Sequence, residues 1–489
     1  IKVLVPDRTT LDRIWKTGID FEGSRGKIGG WMEFTTNRLE RQRLTAEGIQ
    51  YEVIKDDISL QSEIGYISGP VDALGFGFGS MSGFYTYSEV LKQLDSMRIL
   101  FPNLITARDS IGHTHEGRAI WAAKISDNPS IAEDDEPEAL YTALHHAREP
   151  EGMMTVIYYM WWLLQNYGTD SDATYLVNNR QMWFIPVVNP DGYCYNESLY
   201  RPGPPVYFGS WRKNRRNNGG SYGVDLNRNY GTYEMWNGPN GGSSTYPSDD
   251  TYRGPEPFSE PETFAIDEFM WSHNIQTCLN YHTYGNYLIF PWGYLTTETD
   301  DSLNFREFAF DMVSENRYTT GTDQQTVNYS TRGNSDDFMY SGTMTRTYAM
   351  TPEVGTSGFW PPTNEILPLA IKNLSANRYL SYVAGQYTIL KRIEINDPDN
   401  DGQLTSGEIF TLSTTIRNKG LKDAENLTVT ISSSLPGVTF GINTITLSSM
   451  LARSDSTVNF SGMVKPDCPM TSAVNFYFTF TSTYGYFHR

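Results

Sequence analysis

The sequence contains little cysteine and no long apolar run. Its three cysteines are widely separated and form no Cys-x-x-Cys pair, so neither a disulfide framework nor a cysteine-rich zinc finger is expected. The most apolar stretch, residues 153–164, is much shorter than the roughly 20 residues that span a bilayer. We predict a buried helix there and no membrane span.

Positive charge is also scarce. Lys and Arg number 38 against 57 Asp and Glu, for a net charge of −19. Nucleic acid and anionic membranes would repel such a chain, so neither is expected as a partner. The N-terminus lacks a signal peptide's apolar stretch. We expect that a signal has been removed and that the protein is a secreted monomer.

A length of 489 residues predicts two to four domains. Residues 1–66 alternate short strand and helix patterns, which predicts a small α+β module, and a glycine-rich linker follows at 67–81. Residues 82–390 alternate strand-like and helical runs, as in an α/β sheet covered by helices. Residues 391–489 show strand-like runs without a helical period, which predicts a β-sandwich. These last runs are 410–417, 427–432, 438–447 and 474–480.

Only seven histidines are present, yet they form two His-x-x-Glu pairs, a spacing that suits catalytic zinc. His113 and Glu116 fall between strand-like runs at 105–107 and 120–125, so we expect an exposed hairpin there.

The pair His146 and Glu149 follows an apolar strand, and Pro150 suits the first position of a helix. Sites in α/β sheets lie at such carboxyl ends of strands, so we predict this pair to be metal ligands. His282 follows another apolar run and is the candidate third ligand, although a lone histidine in that position is more often structural.

Six motifs occur in the order found in the M14 family of zinc carboxypeptidases, over roughly residues 82–390, and the chain resembles that family. They are His146-Ala-Arg-Glu149, Asn189-Pro-Asp-Gly192, Trp211-Arg212-Lys213, Gly223-Val-Asp-Leu-Asn-Arg-Asn229, His282-Thr-Tyr284 and Pro352-Glu353. The resemblance implies a mixed sheet flanked by helices, one zinc ion, and the C-termini of peptides or proteins as substrates.

The resemblance also implies roles for individual residues. His146, Glu149 and His282 would hold zinc, and Glu353 would be the general base. Arg212 would stabilise the oxyanion.

Other residues would bind the substrate or support the site. Asn227, Arg228 and Tyr329 would hold the terminal carboxylate, where a guanidinium makes two parallel hydrogen bonds. Arg148 would guide the peptide, and Asp225 would orient a ligand histidine.

Asp336 stands seven positions after Tyr329, at the floor of the family's pocket for the terminal side chain. A carboxylate there predicts a preference for C-terminal Lys or Arg. Arg332 is close enough in sequence to neutralise it. A register slip by one residue would exchange its role with that of Asp337.

Residues 1–66 occupy the position of the family's pro-segment, which assists folding and shields the cleft, and residues 18–23 resemble bacterial versions. No basic residue lies between Lys55 and Lys92, which excludes a trypsin-like cut in the linker. Either another protease acts there or the module stays attached.

Residues 397–408 match the twelve-residue calcium loop, with candidate ligands Asp397, Asp399, Asp401, Gln403 and Glu408. No helical pattern flanks the loop, which favours a calcium staple between the catalytic and β modules over an EF-hand. A solvated acidic turn is the alternative.

Three functions remain open on sequence alone. The first is a secreted peptide carboxypeptidase, the second a murein stem-peptide carboxypeptidase of the same family, and the third a non-catalytic adhesin on a peptidase scaffold. Retention of all three metal ligands, Arg212 and Glu353 counts against the adhesin.

Overall fold

The computed structural model describes residues 1–21, 23–58, 60–61, 75–399, 401–468, 473–483 and 485–488. Much of the predicted linker at 67–81 lies outside these residues, as does Glu22 in the 18–23 motif. Within the described chain, no helix combines the length and apolar character that a membrane span requires.

The N-terminal region forms a small antiparallel sheet with two helices. Strand order is β2-β3-β1-β4, and a further short strand, β5, pairs with β10 of the catalytic region. The elements are β1 (Lys2–Val5), α1 (Arg8–Trp15), β2 (Arg25–Gly26), β3 (Gly30–Glu33), α2 (Arg38–Ala46), β4 (Tyr51–Glu52) and β5 (Leu60–Gln61).

The catalytic region is built on one eight-stranded mixed sheet, β13-β12-β14-β11-β8-β9-β7-β6. Strands β8, β9, β11 and β14 are parallel neighbours, and β6 and β7 are antiparallel at one edge. The strands are β6 (Asp109–His113), β7 (Ala119–Ile125), β8 (Glu138–Ala143), β9 (Gln181–Ile185), β10 (Val206–Tyr207), β11 (Ile275–Tyr281), β12 (Tyr287–Ile289), β13 (Thr319–Gly321) and β14 (Tyr348–Glu353).

Helices flank this sheet. They are α3 (Tyr87–Leu100), α4 (Pro150–Asn166), α5 (Ser171–Asn179), α6 (Pro190–Leu199), α7 (Tyr233–Trp236), α8 (Pro261–Ser272), α9 (Ser302–Asn316), α10 (Asp323–Thr326), α11 (Ser335–Ser341), α12 (Thr363–Lys372) and α13 (Leu374–Ala384). The apolar run predicted as a buried helix is α4, and Pro150 lies in its first turn. Its apolar side chains pack against the central strand β8, all six of whose residues are buried.

The C-terminal region contains two four-stranded antiparallel sheets, β15-β16-β20-β18 and β19-β17-β21-β22. Alternate residues of β16 and β20 are buried, as expected for strands that cover a core on one face. The strands are β15 (Thr388–Asn396), β16 (Ile409–Asn418), β17 (Ala424–Ser433), β18 (Val438–Phe440), β19 (Thr444–Met450), β20 (Asp455–Val464), β21 (Phe476–Ser482) and β22 (Gly485–His488).

Two sequence-based strand assignments were wrong. The run 438–447 is two strands, β18 and β19, which belong to different sheets. The strand before the His113 hairpin is β6 rather than residues 105–107, where Ile105 forms only an isolated bridge to Ile125. At Ile105 hydrophobicity marked a buried loop residue and not a strand, because a loop residue can fill the core equally well. In the run 438–447 the exposed Ile442 lies between the two strands.

Candidate active site

The register of three neighbouring strands brings the predicted metal ligands together. Ala143 of β8 pairs with Tyr281 of β11, so both strands end at the same edge of the sheet. His146 and Glu149 follow the first strand, and His282 follows the second. The chain turns out of β8 at Leu144, which has a φ of 57°, an uncommon conformation for a branched residue.

The three side chains converge in the protein interior. His146 Nδ1 lies 3.0 Å from Glu149 Oε1 and 3.0 Å from His282 Nδ1, and His282 Nδ1 lies 2.9 Å from Glu149 Oε2. All three residues are fully buried. Two imidazole nitrogens and a carboxylate facing one another form a donor set that fits zinc.

Asp225 supports this cluster from behind. Its Oδ1 lies 3.0 Å from His146 Nε2, and its Oδ2 accepts a 2.8 Å hydrogen bond from Arg212 Nη2. Such a carboxylate fixes the ring orientation of a ligand histidine. Arg212 belongs to the basic stretch Trp211–Arg216, but its guanidinium is buried in the cleft and is not part of a solvated basic surface.

Glu353 ends the third strand, β14, where it forms a bridge with His282. Its side chain is buried, and Oε2 has no hydrogen-bond partner among the described residues. Burial, and after it the charge of Glu149, raises the pKa of Glu353 well above its usual range. A carboxylate poised in this way suits a proton acceptor and donor.

A cavity whose lining includes Glu353 is also lined by Asn227, Arg228, Tyr329 and Asp336, the residues predicted to bind the substrate terminus. Asn227 Oδ1 accepts a 2.9 Å hydrogen bond from the Ser335 amide. The Arg228 guanidinium donates to the backbone oxygens of Gly242 and Asn227, so its position is fixed.

The hydrogen bonds of Asp336 distinguish it from its neighbours Asp337 and Arg332. Asp336 accepts hydrogen bonds from Asn280 Nδ2 (2.7 Å) and Thr351 Oγ1 (2.8 Å). Asp337 instead accepts hydrogen bonds from the backbone amides of Gly293 and Tyr294, which is a structural role. Arg332 does not neutralise Asp336, because its guanidinium donates to Ser243 and to Gly238 O.

The structure also places residues in the cleft that the sequence analysis did not assign. Asp20 of the N-terminal module lies 2.9 Å from Arg148 Nη2 and 3.0 Å from Arg212 Nη1. His145, adjacent to His146, stacks on His282 with ring centroids 5.6 Å apart. Asp20 lies within the 18–23 motif and His145 directly precedes His146, but only long-range packing shows that these side chains enter the cleft.

The second His-x-x-Glu pair is on the surface. His113 and Glu116 are exposed in the β6–β7 hairpin, and Glu116 accepts a 2.6 Å hydrogen bond from Arg118. Neither belongs to a potential metal cluster in the described chain.

In the calcium-like loop, oxygen atoms of Asp397, Asp399 and Glu408 lie within 4.8 Å of one another. Asp401 is not part of this group of acidic residues. The loop joins β15 to β16, so strands and not helices flank it.

The mixed sheet, the buried His-Glu-His cluster and the adjacent arginines define a metallopeptidase. The family model described as zinc carboxypeptidase, that of the M14 peptidases, matches residues 90–376. This chain belongs to that family and is a metallocarboxypeptidase, so the non-catalytic adhesin is set aside.

Individual relatives agree with this assignment. The chain is 30% identical to a zinc carboxypeptidase of Saccharothrix mutabilis subsp. capreolus, over 77% of this chain and 89% of the relative. It is 29% identical to mouse (Mus musculus) carboxypeptidase A2, over 67% and 77%. The crystal structure of carboxypeptidase A from Helicoverpa armigera has a similar fold, with a TM-score of 0.64 at 22% identity, over 78% of this chain and 96% of that one.

Proposed function

We propose that this metallocarboxypeptidase is a secreted monomeric enzyme, made in a latent form, that removes C-terminal Lys or Arg from peptides. The observation that carries the specificity is the buried Asp336 carboxylate in the same cavity as Arg228 and Tyr329. A substrate whose terminal carboxylate meets Arg228 would direct its terminal side chain toward this acid.

The proposed roles follow from position and chemistry. Zinc, when held by His146, Glu149 and His282, would polarise the scissile carbonyl and lower the pKa of its water. Glu353 accepts a proton from the attacking water and passes it to the leaving amine.

Charged groups around the scissile bond complete the site. Arg212 donates to the oxygen that becomes negative. Asn227, Arg228 and Tyr329 hold the terminal carboxylate, which restricts cleavage to the last peptide bond. Arg148 contacts the preceding part of the peptide.

Latency is supported by what the N-terminal module places in the cleft. The Asp20 carboxylate is 2% exposed. It forms ion pairs with Arg148 and Arg212, the two arginines that are proposed to contact the substrate. Trp15 stacks on Tyr329 with ring centroids 5.8 Å apart, and Phe21 packs edge-on against it at 5.4 Å. The module therefore competes with substrate for the same groups.

A calcium site in the 397–408 loop is supported by unsatisfied oxygens. Asp397 is 7% exposed, and its Oδ1 and the Oε1 of Glu408 are buried without hydrogen-bond partners in the described chain. Buried carboxylates normally have partners, and calcium takes carboxylate oxygens as ligands. The loop connects two paired strands of the C-terminal sheet, so an ion here would fix this hairpin of the sandwich and would not staple it to the catalytic region.

The variant Glu353→Gln should retain one zinc per chain and lose most turnover, since the residue transfers protons and does not bind the metal. Zinc content by mass spectrometry and kcat on a peptide substrate measure the two effects. Glu116→Gln, in the surface pair, is the matched control and should change neither. Loss of zinc or retention of full activity in Glu353→Gln would show that the role is misassigned.

The enzyme should cleave a peptide ending in Arg about ten- to a hundredfold faster, in kcat/KM, than a matched peptide ending in Phe. Asp336→Ile should abolish that preference. Burial raises the pKa of Asp336 to about 6. Only the ionised form attracts a cation, so the ratio of kcat/KM for Arg to that for Phe should decrease when the pH is lowered below about 6. Other titrating groups in the site affect kcat/KM for both peptides, so their effects cancel in this ratio. Equal rates in the wild type would refute the specificity.

The intact chain should be nearly inactive until a broad-specificity protease removes or loosens the N-terminal module. Asp20→Asn should raise the activity of the intact chain about ten- to a hundredfold, because charge-assisted hydrogen bonds to two arginines are lost. Asp12→Asn, an exposed aspartate of the same module with a 57% exposed side chain, is the control. If uncleaved and cleaved wild-type chains were equally active, latency would be disproved.

Calcium should raise the melting temperature of the zinc-loaded protein, since a ligand bound by the folded state alone stabilises it by about 2.7 kcal/mol at a hundredfold excess over Kd. Asp399→Asn should abolish this response. Asp401→Asn should retain it, because Asp401 lies outside the three-residue group. A melting curve that does not respond to calcium in the wild type, with zinc content unchanged, would contradict the site.

A further inference from the structure

Besides Glu353, two further carboxyl groups line the cavity that holds Asp336. They are Asp323, at the start of α10, and Asp337. Arg228 is the basic residue in this lining, and its guanidinium is already bound to backbone oxygens. Within the described residues, none of the three aspartates forms an ion pair. The cavity is therefore lined by several carboxyl groups, and a bound cation would favour their ionised forms.

The three carboxylates differ in how much of their hydrogen-bonding capacity is used. Asp337 accepts from two backbone amides and from Asn334 Nδ2 at 2.8 Å, so it is satisfied. Asp323 accepts one side-chain hydrogen bond, from Thr331 Oγ1 to Oδ2, which leaves Oδ1 without a hydrogen bond in the described chain. That oxygen is available to a ligand.

Gly293 keeps the space beside Asp323 open. A Cβ atom at this position would lie 2.4 Å from Thr331 Oγ1 and 2.6 Å from Asp323 Oδ2. Any side chain here would displace the carboxylate or fill the cavity. The small residue is thus required by the position of Asp323.

Burial raises the pKa of Asp323 to about 8, and the nearby carboxylates of Asp337 and Asp336 contribute to this rise. Asp323 and Asp336 line the same cavity, so their carboxylates would repel each other when both are ionised. An entering cation removes that repulsion. A guanidinium presents donors along several directions in one plane and can serve two carboxylates, whereas an ammonium is a single point of charge.

We propose that Asp323 is a second specificity-determining residue, which acts with Asp336 on the terminal side chain of the substrate and favours Arg over Lys. This inference rests on the proposed carboxypeptidase specificity. Asp336 would supply the general preference for a basic residue, and Asp323 would distinguish the guanidinium from the ammonium.

The test compares kcat/KM for three matched peptides ending in Arg, Lys and Phe, with the full chain cleaved by the same broad-specificity protease in every case. Asp323→Asn should lower the value for Arg about tenfold or more, for Lys by less, and for Phe by less than about twofold. Asp336→Asn should lower the values for both Arg and Lys. Thr331→Val is the control, since it removes the hydrogen bond to Asp323 and keeps the charge.

A purely structural role for Asp323, in holding the 323–331 loop, predicts a different result. In that case Asp323→Asn and Thr331→Val would lower the values for all three peptides alike, and the proposal would be overturned. Unchanged values for all three peptides in Asp323→Asn would overturn it as well.

Binding of free arginine and lysine to the zinc-loaded Glu353→Gln protein, measured by calorimetry, gives a readout that needs no turnover. Weaker arginine binding after the additional Asp323→Asn change, with lysine binding less affected, supports the proposal. Equal arginine binding in both proteins overturns it. A wild-type chain that cleaves no peptide would instead contradict the proposed function, and this outcome is separate from the binding result.

Discussion

The in-register pairing of β8, β11 and β14 is the constraint on which the site depends. Each strand ends at the same edge of the sheet, so residues more than 200 positions apart in sequence become neighbours. A shift of one residue in any pairing would point a ligand side chain away from the site and toward the core, because side chains alternate between the faces of a strand. The buried strands and the helix α4 fix that register, which makes the core a requirement for the chemistry.

Charge pairing then determines what the cleft can bind. Asp225 and Glu149 balance part of the positive charge of Arg212, and buried charges without partners are strongly destabilising. The remaining donors of Arg148 and Arg212 need an anion, which Asp20 supplies in this structure. A substrate carbonyl that becomes negative offers the same kind of partner. The proposed latency and the proposed catalytic role of Arg212 therefore draw on one electrostatic requirement.

The sequence predicted most of the site because strand-end residues have local signatures. His146, Glu149 and His282 follow apolar runs, and the order of the motifs identified Arg212 and Glu353. Residues that reach the site through packing have no such signature. Asp20 lies in a short loop of a separate module, and Asp323 begins a four-residue helix. Similarly, spacing could place an aspartate at position 336 but not show that Arg332 turns away from it.

The acidic cavity is distinct from the arginines that Asp20 of the N-terminal module contacts. Its lining residues come from the catalytic region, between Asn227 and Glu353, while the module contributes an acid to the arginines and aromatic rings to Tyr329. The module thus imitates the negative groups of a substrate and not its terminal side chain. Under the proposed specificity, a basic terminal residue would gain an interaction with the aspartates of this cavity that is separate from the contacts of the module with Arg148, Arg212 and Tyr329. The proposed selectivity would then not depend on how tightly the module covers the cleft.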